Sequence, residues 1–92
     1  MTKQEYLLYF KAQNWTQLIY EYHLEVGKVK KSKQEIINIV NHWNRLEINT
    51  GGIFNEPYFE LNKFISHIVK YFGNKFEILK IYNKENQIIK TI

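Results

Sequence analysis

Side chains able to do acid–base or metal chemistry are scarce and scattered in this chain of 92 residues. There is no aspartate and no cysteine, and the three histidines do not occur at the H-x-x-x-H or H-E-x-x-H spacings of zinc sites. Glu56 and Glu60 have the spacing of two carboxylates on one helical face, but the helix dipole alone favours acids at a helix start. The sequence therefore predicts no catalytic residue, no metal site, no cofactor and no enzymatic activity.

A cluster of four lysines is the first feature that indicates binding. Within six positions, and with no acid among them, lie Lys28, Lys30, Lys31 and Lys33. The cluster leads into a predicted helix start, where free backbone N–H groups also attract anions. A phosphate backbone could dock here and release counterions, so the cluster predicts binding of nucleic acid or of an acidic partner. The alternative is a solvated loop whose charges only keep the protein soluble.

Aromatic residues are more numerous than a core of this size needs, with two Trp, seven Tyr and six Phe. On a single helix over residues 3–26, several of them would lie away from the apolar side and form a surface of rigid rings with polar tips. The predicted partner-binding residues are Tyr6, Tyr9, Phe10, Tyr20 and Tyr22. Two alternatives stay open: another element covers these rings, or the helix breaks at Asn14 and reorients them.

The spacing of apolar residues predicts the helix that would carry those rings. Thr2 and Glu5 form a capping box at its start, and Gly27 provides a stop. Between them an apolar stripe recurs at spacings of four and three residues, formed by Leu8, Ala12, Trp15, Ile19, Tyr22 and Val26. We therefore expect one helix over about residues 3–26, with a division into two helices at Asn14 as the alternative.

Two more helices follow from the same kind of pattern. Ser32 and Glu35 form a second capping box directly before an apolar run, which predicts a helix over about residues 33–47. A strong apolar stripe that ends before Gly73 predicts a third helix over about residues 57–72. The short loop between the first two predicted helices favours antiparallel packing as a helical hairpin.

The last part of the chain is rich in β-forming residues and predicts a β-hairpin over about residues 76–92. Two strands alone are marginal in water, so the hairpin should pack on the helices, pair with another chain or recruit a strand from residues 48–54. The predicted fold is α+β: a small helical bundle of three main helices, or four if the first one breaks, with a C-terminal β-hairpin. The length suits a single domain over residues 1–92.

Charge and hydropathy limit the kinds of partner and the cellular compartment that we expect for this protein. The formal net charge is +4 and the pI is about 9.3, which favours acidic partners. No apolar run approaches the ~20 residues of a membrane span, and the polar start is unlike a secretory signal. We therefore expect a cytoplasmic protein without a membrane partner.

Together these patterns predict a small non-enzymatic binding protein. The leading hypothesis is an inhibitor or regulator of a nucleic-acid-handling protein complex, of the anti-defence or anti-CRISPR kind, whose partner is a protein or a ribonucleoprotein. The rings would anchor that contact and the lysines would steer it. One alternative is direct, weakly sequence-specific binding of RNA or DNA through the lysines. Another is a homodimeric regulatory module in which the hairpin edges of two copies pair.

Overall fold

A computed structural model describes residues 5–52 and 59–92, which form one antiparallel sheet and two helices. In chain order the elements are β1 Tyr6–Gln13, β2 Ile19–Gly27, α1 Lys33–Thr50, α2 Leu61–Phe72, β3 Glu77–Tyr82 and β4 Ile88–Thr91. The strands lie side by side in the order β1-β2-β3-β4. The chain is α+β, but the predicted bundle of three or four helices is wrong, because the first predicted helix is a β-hairpin.

The segment 3–26 forms strands within its described part because its burial has a period of two. Leu8 and Phe10 are buried on β1, and Leu24 and Val26 are buried on β2, while the residues between them are exposed or half-buried. The steps of four residues in the predicted apolar stripe, such as Leu8 to Ala12, fit this alternation, but the step of three from Ile19 to Tyr22 joins opposite faces of β2, and Ile19 is exposed. β2 lies between β1 and β3, so the backbone of residues 23–26 has a partner strand on each side.

Asn14 closes the turn between β1 and β2. Its side-chain Oδ1 accepts hydrogen bonds from the backbone N–H groups of Thr16 (3.0 Å) and Leu18 (3.2 Å). The backbone N–H of Gln17 donates to the Asn14 carbonyl at 2.9 Å. Asn14 is only 1% exposed, so its amide organises the turn from inside. The alternative break at this residue is therefore in the right place, but it separates two strands and not two helices.

The ends of α1 are set by local chemistry. The Ser32 hydroxyl accepts a hydrogen bond from the backbone N–H of Glu35 at 3.2 Å, and it donates to the Glu35 carboxylate at 3.0 Å. The first of these bonds is the N-cap half of the capping box that the sequence predicts, whereas the Glu35 carboxylate accepts from the Ser32 hydroxyl and not from the Ser32 backbone N–H. After Thr50 the chain leaves the helix through Gly51, whose φ of 86° is in the left-handed region that favours glycine.

The other predicted elements differ from the observed ones mainly in length. α1 continues beyond the predicted range 33–47, so the first part of the alternative strand 48–54 is helical. α2 is shorter at its start than the predicted helix over 57–72, and residues 53–58 lie outside the described part of the chain. β3 and β4 lie within the segment 76–92 that was predicted as a hairpin, although β3 pairs with β2 as well as with β4.

The core lies between one face of the sheet and the two helices, and aromatic rings fill much of it. Phe10 is completely buried and makes edge-to-face contacts with Trp43 and Phe72, with ring centroids 5.3 and 5.4 Å apart. Phe64 lies 6.2 Å from the same ring. Edge-to-face contacts of this kind add to the gain from apolar burial. Much of the aromatic excess seen in the sequence is therefore used for packing.

The burial of Tyr22 in this core makes the free energy of unfolding fall at alkaline pH. Its ring packs between Phe59 and Phe64, with centroid distances of 5.6 and 5.4 Å, and burial, followed by the charge of Tyr20, raises the pKa of its hydroxyl from 10.0 to about 12. The folded state binds the hydroxyl proton of Tyr22 more tightly than the unfolded state does. The stabilisation that the protonated Tyr22 contributes is therefore complete below about pH 10 and is lost progressively toward about pH 12. We expect Tyr22→Phe to give a shallower loss of stability across that window, measured by urea unfolding.

Tyr71→Phe is the control for this titration, because the Tyr71 side chain on α2 is 44% exposed. The control should retain the alkaline slope of the wild-type protein. Identical slopes for wild type and Tyr22→Phe would contradict the assignment of the stability loss to Tyr22.

Candidate functional site

The face of the sheet opposite the helices, which we call the open face, carries a line of aromatic side chains, which we call the aromatic row. Tyr9 on β1 pairs with His23 on β2, and His23 pairs with Tyr82 on β3. Directly paired residues point to the same side of a sheet, so the three rings lie in one line across neighbouring strands. The rings of Tyr9 and His23 are 5.3 Å apart between centroids. On β4, Ile88 pairs with Tyr82 and continues the row with a side chain that is 55% exposed.

Two glutamates of β2 hold the tyrosines of this row. Burial and a hydrogen bond to Glu21 raise the pKa of Tyr9, and the same hydrogen bond is the main reason that the pKa of Glu21 is lowered. The Tyr82 hydroxyl donates to Glu25 Oε1 at 3.4 Å. Each tyrosine is thus tied through its hydroxyl to a residue on the neighbouring strand. The rings are half-buried and oriented before any ligand arrives.

Lysines surround the aromatic row and offset these carboxylates. Lys11 Nζ lies 3.7 Å from Glu21 Oε1, and Lys84 Nζ lies 3.9 Å from Glu21 Oε2. Lys80 pairs with Glu25 across β2 and β3. With three lysines and two glutamates, this group carries a formal charge of +1. The face therefore combines stacking surface with cations that are placed beside it.

The predicted lysine cluster lies elsewhere, at the end of the sheet where β2 passes into α1. Lys28 Nζ is 3.6 Å from Glu77, and Lys33 Nζ lies 5.2 Å from the centre of the Tyr6 ring. Lys31 is exposed, and the backbone N–H of Lys30 donates to the Lys75 carbonyl at 3.0 Å. At about 3.3 Å per residue, the end of β2 is about 13 Å from the aromatic row. The cluster and the row can contact one extended ligand, but they do not form one compact site.

The predicted partner-binding rings do not share a surface, because the helix that was to carry them does not form. Phe10 is 0% exposed in the core, so it cannot anchor a contact in this fold. Tyr20 and Tyr22 are on the helix-facing side of the sheet and stack on Phe59, at 4.3 and 5.6 Å between centroids. Tyr6 points to the same side of the sheet, because it pairs with Val26, which is buried there. Of the five rings, Tyr9 alone lies on the open face.

Sequence reasoning missed His23 and Tyr82, which complete the row. A strand interpretation of the first quarter of the chain would have placed Tyr9 and Lys11 on one face of β1, at a spacing of two residues. The same period places Glu21 and His23 together on β2. No local pattern indicates that Tyr82 joins them, because the register between β2 and β3 is a tertiary feature.

The turn between β1 and β2 is a second exposed surface. Trp15 and Leu18 are each 58% exposed there, and Ile19 at the start of β2 is 49% exposed. Tryptophan is enriched among the residues that contribute most to protein–protein binding. This tip therefore has the character of a protein-contact site.

Comparisons with known proteins do not assign this site. No family model matches the chain, and no match was found among the curated proteins or the solved structures.

In residues 5–52 and 59–92, no helix has the length and apolar character needed to cross a membrane. No group of three metal-ligating His, Cys, Asp or Glu side chains occurs in the same described ranges. Thr2 and Glu56 lie outside those ranges, so the first capping box and the Glu56–Glu60 pair are not placed.

Proposed function

We propose that this protein is a non-catalytic binding protein that takes single-stranded nucleic acid onto the open face of its sheet. The observation that carries the proposal is the alignment of Tyr9, His23 and Tyr82 across three adjacent strands. Aromatic rings stack on bases of any sequence and contribute about 1–3 kcal/mol per base. A four-stranded sheet with aromatics on one face is a known way to hold two or three unstacked bases.

The dimensions and charges of the face fit such a ligand. Adjacent strands are about 4.8 Å apart, so three rings cover about 10 Å, which suits two or three bases of an extended strand. Lys11, Lys80 and Lys84 lie beside the rings, where their ammonium groups can reach the phosphates of that strand. The net charge of +4 supports the approach of a polyanion, and binding should weaken as salt is added.

Replacing the tyrosines of the row tests this proposal. Tyr9→Leu and Tyr82→Leu keep apolar bulk on the sheet but remove the stacking surface. Each should weaken binding of a fluorescently labelled oligo(dT) or oligo(U) by about tenfold or more, because one stacked base is lost. Fluorescence anisotropy measures the affinity, and circular dichroism verifies that the variants are folded.

Tyr71→Leu is the matched control, since Tyr71 is an exposed ring on α2, away from this face. It should bind as the wild-type protein does. The proposal is refuted if the wild-type protein does not bind either oligonucleotide at low salt, or if both row variants bind with unchanged affinity.

The exposed turn favours a second function, the contact with a protein partner that the sequence suggests. Trp15 and Leu18 would anchor that contact, and the open face would remain available for nucleic acid held by the same complex. An inhibitor or regulator of a nucleic-acid-handling complex would use both surfaces. Affinity capture from a host extract tests it: Trp15→Ser should lose the captured protein, whereas Tyr82→Leu should retain it.

The homodimer hypothesis concerns β4, which lies at an edge of the sheet. Ile88 and Ile92 are 55% and 61% exposed near this edge, but a four-residue strand offers few backbone groups for pairing. Sedimentation velocity at micromolar concentration tests the hypothesis, and a monomer at every concentration would exclude it.

A further inference from the structure

A groove of about 590 Å³ adjoins the open face, between α1 and the outer edge of β1. Tyr9 and Lys11 form the β1 side of the groove. Successive turns of α1 form its other side, through Asn38, Asn41, Asn44, Arg45 and Ile48. The groove is continuous with the open face, because Tyr9 and Lys11 belong to both. A strand of nucleic acid that leaves the aromatic row toward β1 would enter it directly.

The floor of the groove is made of hydrogen bonds between α1 and the edge of β1. Asn44 Nδ2 donates to the Tyr9 carbonyl at 2.9 Å, and Asn44 Oδ1 accepts from the Lys11 backbone N–H at 3.0 Å. These are two of the backbone groups that an added peptide strand would use at this edge. Since the Asn44 amide already satisfies them, recognition in the groove falls mainly to side chains.

The side chains that line the groove select an anion with a polar edge. Lys11 and Arg45 are the two charged lining residues, and both are cations. Asn38 and Asn41 are exposed amides on the wall of α1, and the Asn38 oxygen already accepts from Gln34 Nε2 at 2.9 Å. An asparagine amide can pair with the edge of a base, and a guanidinium can bind a phosphate. The volume lies in the range of small-molecule sites.

We infer that the groove holds the nucleotide next to the stacked bases, with its phosphate on Arg45 and Lys11 and its base edge on Asn41. This inference rests on the proposed function. It adds the path of the bound strand to that function: the strand must cross the sheet from β3 toward β1 and then pass over α1. It also gives the protein a contact by which one position of an otherwise unspecific ligand is read.

Removing the Arg45 charge tests the inference against a matched variant. Arg45→Gln and Lys70→Gln each remove one positive charge from an exposed position of a helix, but Lys70 lies on α2, outside the groove. For single-stranded nucleic acid, each phosphate contact contributes about 0.7 to the slope of log affinity against log salt. Arg45→Gln should therefore lower that slope by about 0.7 and weaken oligo(dT) binding about fivefold at about 0.1 M salt. Lys70→Gln should leave both quantities unchanged.

The outcomes separate the inference from the function on which it rests. If Arg45→Gln and Lys70→Gln behave alike while Tyr9→Leu and Tyr82→Leu lose binding, the inference is overturned and the proposed function stands. If the wild-type protein does not bind oligo(dT) or oligo(U) at all, the proposed function fails and the inference fails with it. A fivefold loss with a reduced slope in Arg45→Gln alone supports both.

Discussion

Replacing Gly52 with alanine is expected to lower the free energy of unfolding by at least about 3 kcal/mol. A Cβ atom at this position would overlap the carbonyl oxygen of Gln13 and lie 2.7 Å from its carbonyl carbon. Gln13 cannot move away easily, because it ends β1 and pairs with Ile19. The φ of 96° at Gly52 adds strain for any residue with a side chain. Small domains have only about 5–15 kcal/mol of stability, so this loss is large.

Gly51→Ala separates the close approach from the backbone strain. Gly51 has a φ of 86°, but a Cβ atom there would meet nothing within 4 Å. This substitution should cost only the left-handed strain, about 1–2 kcal/mol. Urea unfolding followed by circular dichroism measures both variants. Equal losses for the two would contradict the close contact between Gly52 and the carbonyl of Gln13.

Asn44→Asp is expected to cost about 3 kcal/mol, because it removes a buried hydrogen-bond donor and adds a charge. Asn44 is 8% exposed, and its amide bonds to the Tyr9 carbonyl and the Lys11 N–H at the outer edge of β1. Aspartate keeps the acceptor for Lys11 but places a second oxygen against the Tyr9 carbonyl. The change keeps the shape of the side chain, so the loss reports the hydrogen bonds and not the packing.

Hydrogen exchange at the Lys11 amide provides the specific measurement for Asn44→Asp. The exchange rate should rise in this variant, because the outer edge of β1 opens locally. Asn41→Asp is the control: Asn41 is exposed one turn earlier on α1, and its replacement should change stability by no more than about 0.5 kcal/mol. Unchanged stability together with unchanged protection of the Lys11 amide in Asn44→Asp would contradict the assigned role of Asn44.

The helices could be predicted because their signals are local. The Ser32–Glu35 capping box starts α1 as the sequence indicated, and Gly51 and Gly73 follow the last residues of α1 and α2. Phe64, Ile68 and Phe72 are buried on one side of α2 at a spacing of four residues. Each of these signals acts within one or two helical turns, so no knowledge of distant residues is needed.

The first quarter of the chain could not be predicted in the same way. Its apolar spacing fits one side of a helix, but the steps of four residues within it also fit one face of each of two strands on either side of Asn14. Intrinsic preference over so few residues does not decide between them, because strand formation is rewarded only when a partner strand is present. Here β3, more than fifty residues further along the chain, covers the second side of β2. The decision therefore belongs to tertiary structure.

For the candidate site, too, some features could be read from the sequence and others depended on the tertiary structure. The composition, by itself, suggested a class of protein: a chain without aspartate or cysteine and with many rings and lysines is predicted to bind rather than to catalyse, and this stays a prediction. The composition did not determine which rings face outward. Tyr9, His23 and Tyr82 become neighbours only through the strand register, and Phe10 is removed from the surface because strand neighbours point to opposite faces. Residue types are a local property, whereas a shared surface depends on pairing between distant segments.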